Sequence, residues 1–245
     1  FSNCTSLESI TIPDSVTSIG SNSFSNTALV NSQTGVKYAD KWVVECDANV
    51  TSAELKAGTR GIAKDAFKGC TSLESITIPD GVTYINWRAF YECTSLKSIT
   101  IPDGVKSIHY DTFRNCTSLE SVTIPDSVTS IYTFAFYNCT NLKSITIPDS
   151  VTSIGQFAFF NTALTNSQTG VKYVDNWVVD CDEGVTSVEI KTGTRGIAKY
   201  AFSGITSLQS ITIPDSITSI AERVFFNCTS LESVTIPNSV TSIGY

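Results

Sequence analysis

The chain has 245 residues, with 23 Asp and Glu against 16 Lys and Arg, a formal net charge of −7, one His and eight Cys. That balance argues against nucleic acid as a partner, because phosphate recognition relies on clustered Lys and Arg. No apolar run approaches the roughly 18 residues of a membrane span; there is no signal peptide and no Met, so the chain is expected to be a processed or excised part of a longer product.

At the N-terminus, Phe1-Ser2-Asn3-Cys4 reproduces Phe113-Arg114-Asn115-Cys116 and so reads as the close of an earlier unit. From Cys4 the chain spells CTSLESITIPDSVTSIG, whose Ile-Pro-Asp/Asn phrase recurs mostly every 23 residues. That phrase holds every proline: Pro13, Pro79, Pro102, Pro125, Pro148, Pro214 and Pro237. A fixed period of about 20–50 residues marks a solenoid, which grows by adding coils and has no single spherical core. Residues 29–46 break the consensus. There Val36, Tyr38, Trp42 and Val44 predict a strand–turn–strand insertion with Ala39-Asp40-Lys41 at the bend. A degenerate coil without Pro follows over 47–69, keeping Val50, Ala53, Leu55, Thr59, Ile62 and Phe67.

Four uninterrupted coils begin at Cys70, Cys93, Cys116 and Cys139. In the first, Leu73, Ile76, Ile78, Val82, Ile85 and Phe90 fit no 3.6-residue period. Ile76-Thr77-Ile78 alternates as a strand does, Pro79-Asp80 stops it, and Val82 to Ile85 reads as a second extended segment. A single helical or 3₁₀ turn is expected up to Phe90, with Phe plugging the corner of the coil. Residues 26–69 then recur at 161–204, VKYADKWVVECD against VKYVDNWVVDCD. The second insertion, 164–181, carries Val171, Tyr173, Trp177 and Val179, and a second degenerate coil spans 182–204. Coils from Ile205 and Cys228 follow, and the last breaks off at Ile243-Gly244-Tyr245. The fold expected is one β-rich solenoid over 1–245: about nine coils of stacked parallel short strands, partial at both ends. Repeat arrays need polar end caps and neither end supplies one, so flanking coils of the same protein are expected there.

The phrases CTSLESITIPDGVTYINWRAF and CTNLKSITIPDSVTSIGQFAF resemble the BspA-type leucine-rich repeats of bacterial and protozoan surface proteins, over nearly the whole chain. The resemblance implies a right-handed leucine-rich-repeat superhelix, a cell-surface or secreted setting and adhesion to host or other cells. It implies no catalytic residue.

Several columns invite a chemical reading. Cys4, Cys70, Cys93, Cys116, Cys139 and Cys228 share one repeat position, with Cys46 and Cys181 one residue off register. A row of adjacent thiols does not converge as zinc ligands do. Ile205 in the same slot favours a buried thiol ladder, with disulfides between neighbouring coils the alternative. Asp14, Asp80, Asp103, Asp126, Asp149 and Asp215 read as turn-formers satisfying backbone donors of their own coil, ahead of calcium ligands. Ser9, Ser52, Ser75, Ser98, Ser121, Ser144, Ser187, Ser210 and Ser233 mark a wet sheet face that could alternatively bind a polymer or ice. Glu74, Lys97, Glu120 and Lys143 alternate in charge and would pair across strands. Asn-Cys-Thr glycosylation patterns at Asn3, Asn115, Asn138 and Asn227 are by-products of the repeat.

Exposed aromatics are the candidate ligand contacts: Tyr38, Trp42, Tyr173 and Trp177 in the insertions, with Tyr84 and Trp87 where other coils use small polar residues. The competing expectation is that each insertion folds its aromatics onto the adjacent coil. His109, the lone histidine, has no partner for a triad or zinc site and is expected at the surface. No Gly-rich phosphate loop, nucleophile motif or cofactor fingerprint is present, and the acids fall in structural columns, so an enzyme is not expected. The sequence points to a non-enzymatic adhesion or protein-binding segment facing an extracellular or host protein. The alternative is a glycan-binding solenoid.

Overall fold

The computed structural model describes the backbone of residues 1–245 and every side chain except those of Asn166 and Gln168. The chain is a β-solenoid of about nine turns with almost no helix. Each regular coil supplies two short strands. The first carries the Ser-Ile-Thr phrase, as at Ser98–Thr100, Ser121–Thr123 and Ser144–Ile145, paired parallel and in register from coil to coil. In the second ladder Ser107–Ile108, Ser130–Ile131 and Ser153–Ile154 pair in the same way. Alternation in the first strand puts Ser98 and Thr100 in solvent and Ile99 in the core, which makes the hydroxyl grid the wet face. Pro lacks a ladder donor and ends that strand. A turn then forms in which Val105 N–H donates to the Pro102 carbonyl at 3.0 Å, and the same bond recurs after Pro79, Pro125 and Pro148.

The segment leading to Phe is neither helical nor 3₁₀. It is a turn entered through a left-handed residue: Asn22, Asp65, Arg88, Asp111, Phe134, Phe157, Tyr200 and Arg223 share one column and have φ between 54° and 63°. A second left-handed column two residues past Phe holds Asn3, Asn26, Glu92, Asn115, Asn138, Asn161 and Asn227, with Gly69 and Gly204. Asn and Gly dominate there because they tolerate that conformation at least cost. These turns are laced to the next coil through the backbone: Phe90 N–H to Thr112 O (3.0 Å) and Phe113 N–H to Ala135 O (2.9 Å). The Phe rings thus form a buried spine, stacked at 5.1–5.5 Å from Phe67 through Phe90, Phe113 and Phe136 to Phe159.

The Cys column runs beside this spine. Cys93, Cys116 and Cys139 are buried, and each thiol donates to a Phe carbonyl 26 residues earlier, at 3.1 Å. The slot therefore holds a small group that also satisfies a carbonyl, and Ile205 fills it by volume alone. Burial pushes these thiols up, Cys139 to about 12. Cys4 is exposed and Cys228 half-buried, as their places in the outermost coils dictate.

Both insertions form hairpins. Val36–Ala39 pairs antiparallel with Trp42–Cys46, and Val171–Val174 with Trp177–Cys181. The second strand of each lies parallel to a degenerate coil, Trp42 opposite Gly61 and Trp177 opposite Gly196, and so stands in for a coil in the second ladder. The bend residue completes the substitution. In a regular coil Ile101 N–H donates to Thr123 O of the next coil (3.0 Å). Before the hairpins, Ile12 and Ile147 donate instead to the Asp40 and Asp175 carboxylates, at 2.9 and 3.2 Å. A short helix, Ala28–Asn31, capped by the Thr27 hydroxyl and absent from the sequence-based expectations, leads into the first hairpin. The second hairpin is preceded instead by the strand Asn166–Gln168.

Candidate interaction surface

Of the two expectations for the hairpin aromatics, the structure contradicts exposure as ligand contacts and shows them folded onto the adjacent coil. Trp42 and Trp177 are only 1% and 4% exposed, and Tyr38 and Tyr173 are also buried. Each Trp ring lies against a glycine of the neighbouring coil: a Cβ on Gly61 would sit 2.4 Å from Trp42 Cζ3, and one on Gly196 2.3 Å from Trp177 Cζ3. The Gly in each GTRGIAK phrase is thus the slot for the Trp. The Tyr38 and Tyr173 hydroxyls accept from the backbone N–H of Lys56 (3.1 Å) and Lys191 (3.2 Å). Tyr84 is half-buried, stacked 5.9 Å from Trp42. Only Trp87, 47% exposed, displays its ring as expected.

Trp87 instead begins a ridge across the four regular coils. It meets Tyr110 edge-on at 5.1 Å, and Tyr110 meets Tyr132 at 4.9 Å. Phe134, Tyr137, Phe157 and Phe160 continue it, with Phe134 5.9 Å from Phe157 and Tyr137 5.2 Å from Phe160. Arg114 lies over the rings of both Phe134 (5.0 Å) and Tyr137 (4.8 Å), and Arg88 over Tyr91 at 4.5 Å. Arg114 is itself held by Asp111 at 3.0 Å. Two sandwiches result, Arg114–Phe134–Phe157 and Arg114–Tyr137–Phe160. The stacks run from coil to coil, whereas within a coil the rings meet edge-on, Phe134 against Tyr137 at 82° and Phe157 against Phe160 at 72°.

The ridge is not there to bury surface. Phe157 and Phe160 remain 38% and 41% exposed. Phe134 and Phe157 moreover occupy the left-handed column, where a bulky L-residue costs about 1–2 kcal/mol; other coils place Asn22, Asp65 and Asp111 there, but also Arg88, Tyr200 and Arg223. Strain that packing does not require points to a displayed ring. At its far end the ridge borders a cleft of about 240 Å³ lined by Phe157, Phe160, Thr165, Lys172 and Asp180. His109 is half-buried against Tyr132 at 5.4 Å, not at the surface as expected, and burial lowers its pKa.

The remaining columns carry less. Asp80, Asp103, Asp126 and Asp215 are exposed and make no hydrogen bond to their own turns, so their expected role as backbone caps is not met; the Pro carbonyl closes the turn. Asp149 instead pairs with Arg195 of the degenerate coil beyond the hairpin. Of the alternating charges, Lys97 and Glu74 form an ion pair at 2.6 Å, open to solvent and of little energetic weight. Among the described residues no group of three or more His, Cys, Asp or Glu is placed to hold a metal ion.

The profile of the BspA type leucine rich repeat region matches in six copies, over residues 1–60, 60–180 and 179–245. Among solved structures, a leucine-rich cell surface protein from Faecalibacterium prausnitzii shares 25% identity over 98% of this chain and 86% of its own, with a TM-score of 0.46. The pneumococcal vaccine antigen PcpA shares 22% identity over 84% of this chain and 57% of its own (TM-score 0.48). The leucine-rich repeat protein of T. pallidum shares 22% over 83% and 77% (TM-score 0.38). No curated protein matches the sequence. The nine-coil solenoid and the six matched repeats together assign the chain to the BspA-type leucine-rich repeat family.

Proposed function

We propose that the chain is a non-enzymatic protein-recognition segment of a surface-displayed adhesin, with the ridge from Trp87 to Phe160 as its contact face. One observation carries this reading: Trp87, Tyr110, Phe157 and Phe160 stand exposed in one run of coils, joined by half-buried Phe134, Tyr137 and Arg114, and aromatic rings and arginine are the residue types enriched at binding hot spots. Membership of the family favours display outside the cell, and no helix among the described residues is long and apolar enough to cross a membrane. A glycan partner is less well served. Sugar rings stack on open aromatic faces, whereas Arg114, Phe157 and Phe160 occupy those of Phe134 and Tyr137. The exposed rings and the Tyr110 hydroxyl suit a protein surface.

The test is to offer the chain to immobilised extracellular-matrix proteins and to a glycan array. A variant carrying Trp87→Ser, Tyr110→Thr, Phe157→Asn and Phe160→Ser runs alongside, each replacement being a residue that another coil already uses in that column. Binding is expected on the protein side and absent in the variant. Equal binding by the variant, or capture of glycans that depends on these four residues, would overturn the proposal.

A further inference from the structure

We propose that Cys46 and Cys70 are an oxidisable pair that closes into a disulfide, tying the first hairpin to the coil beside it, while the rest of the Cys column stays reduced. Every other interior column thiol of the regular coils is engaged: Cys93, Cys116 and Cys139 each donate to a Phe carbonyl at 3.1 Å. Cys70 has no such acceptor, because the hairpin replaces the coil that would supply it. It makes only long contacts, 3.7 Å to Cys46 O and 4.0 Å to Asp47 O. The Cys46 thiol contacts that same Asp47 carbonyl at 3.5 Å, so both sulfurs converge on one oxygen.

The spacing explains the convergence. Column cysteines recur at 23 residues and ride parallel coils, whereas Cys46 and Cys70 are 24 apart, and Cys46 enters from the hairpin strand. Parallel thiols at the ~4.8 Å coil spacing exceed the Cβ separation of about 3.5–4.5 Å that a disulfide needs; an off-register pair escapes that constraint. Direct interaction between the two side chains lowers the Cys70 thiol below its ordinary value and raises Cys46, which makes Cys70 the nucleophile of the pair. The second copy is a built-in control, since Ile205 stands 24 residues after Cys181, where Cys70 stands after Cys46.

Both thiols are buried, so the oxidant must be small, and a peroxide fits. The Cys70 thiolate attacks one peroxide oxygen; the O–O bond breaks, hydroxide leaves and takes up a proton as water, and Cys70 becomes a sulfenic acid. Cys46 sulfur then attacks Cys70 sulfur, forming the S–S bond, breaking the S–O bond and releasing a second water. Two thiols are oxidised and one hydrogen peroxide is reduced to two waters.

The folded chain is treated with hydrogen peroxide, alkylated and digested with trypsin without reductant. The expected product links peptides 42–56 and 69–88, with two hydrogens and two alkylatable thiols lost per chain. Cys70→Ile, copying Ile205, should abolish the link and leave the far-ultraviolet circular dichroism unchanged. Failure to link these peptides while the chain remains folded would overturn the inference, as would links among Cys93, Cys116 and Cys139 at equal yield.

Discussion

Phe157 and Phe159 are two residues apart in one coil, yet substituting them should have very different effects. Phe159 is a fully buried member of the ring spine, 5.3 Å from Phe136. Replacing it with Ala removes buried apolar volume and leaves a cavity, a loss of about 3–5 kcal/mol. Phe157 keeps 38% of its surface exposed and sits at φ 54°. Full burial of a Phe contributes about 1.5–3 kcal/mol, so Phe157→Asn forfeits about 1–2 kcal/mol of it. Relief of the left-handed strain returns about 1–2 kcal/mol, because Asn accepts that conformation, as Asn22 does in the same column. The net change should lie within about 1 kcal/mol of zero. At this length each kcal/mol moves the melting temperature by about 2–4 °C, so thermal melts followed by circular dichroism separate the two variants easily. Equal destabilisation by both would show that Phe157 is part of the core, and the displayed-ridge reading would fail.

Gly61→Ala should destabilise by about 1–3 kcal/mol through overpacking, since the new Cβ meets three atoms of the buried Trp42 ring at 2.4–2.7 Å; urea denaturation reads the loss, and a neutral result would displace Trp42 from that slot. Acrylamide should quench one of the three tryptophans, Trp87, and Trp87→Ser should remove that fraction; two or three quenchable indoles would contradict burial of Trp42 and Trp177. Stability should fall as pH rises from about 9 toward 12: unfolded thiols ionise near 9.0 while native Cys139, raised to about 12, keeps its proton, so the unfolded state binds fewer protons. Each such thiol contributes a slope of up to about 1.4 kcal/mol per pH unit. Cys139→Ile should flatten that alkaline loss, and an unaltered slope would place the thiol in contact with solvent.

The repeat made the coils legible because burial acts on columns. Ile99, Val122 and Ile145 fall at one position, and no other stacking buries them together. The hairpins were legible for a similar reason, Tyr38 and Trp42 alternating around an Asp bend. That the Trp folds onto the adjacent coil was one of two readings, but its slot was not legible, because the decisive residue is a missing side chain 19 positions away, Gly61 against Trp42. Its only trace was that Trp and the later Gly recur together in the second copy. The ridge was half visible. Trp87 and Tyr84 stood out against small polar neighbours, but nothing in the pattern set Phe134 and Phe157 apart from the nearby Phe136 and Phe159. Only backbone geometry separates them: the left-handed column accepts Asn, Asp, Arg, Phe and Tyr alike and so leaves no compositional mark. The Asp column misled in the opposite direction, since Pro-Asp suggests a side-chain cap where a backbone carbonyl already closes the turn.

Recognition through the ridge is tested most directly by affinity for whichever matrix protein the chain captures. Three proteins are compared by surface plasmon resonance: the parent, the four-residue ridge variant, and a variant with Ser98, Ser121 and Ser144 of the wet strand face changed to Lys. Ridge recognition predicts a loss of at least about 1,000-fold, the weight of two hot-spot residues at about 2 kcal/mol each, in the ridge variant alone. Parent-like affinity in the ridge variant, with the loss in the serine-face variant, would contradict it.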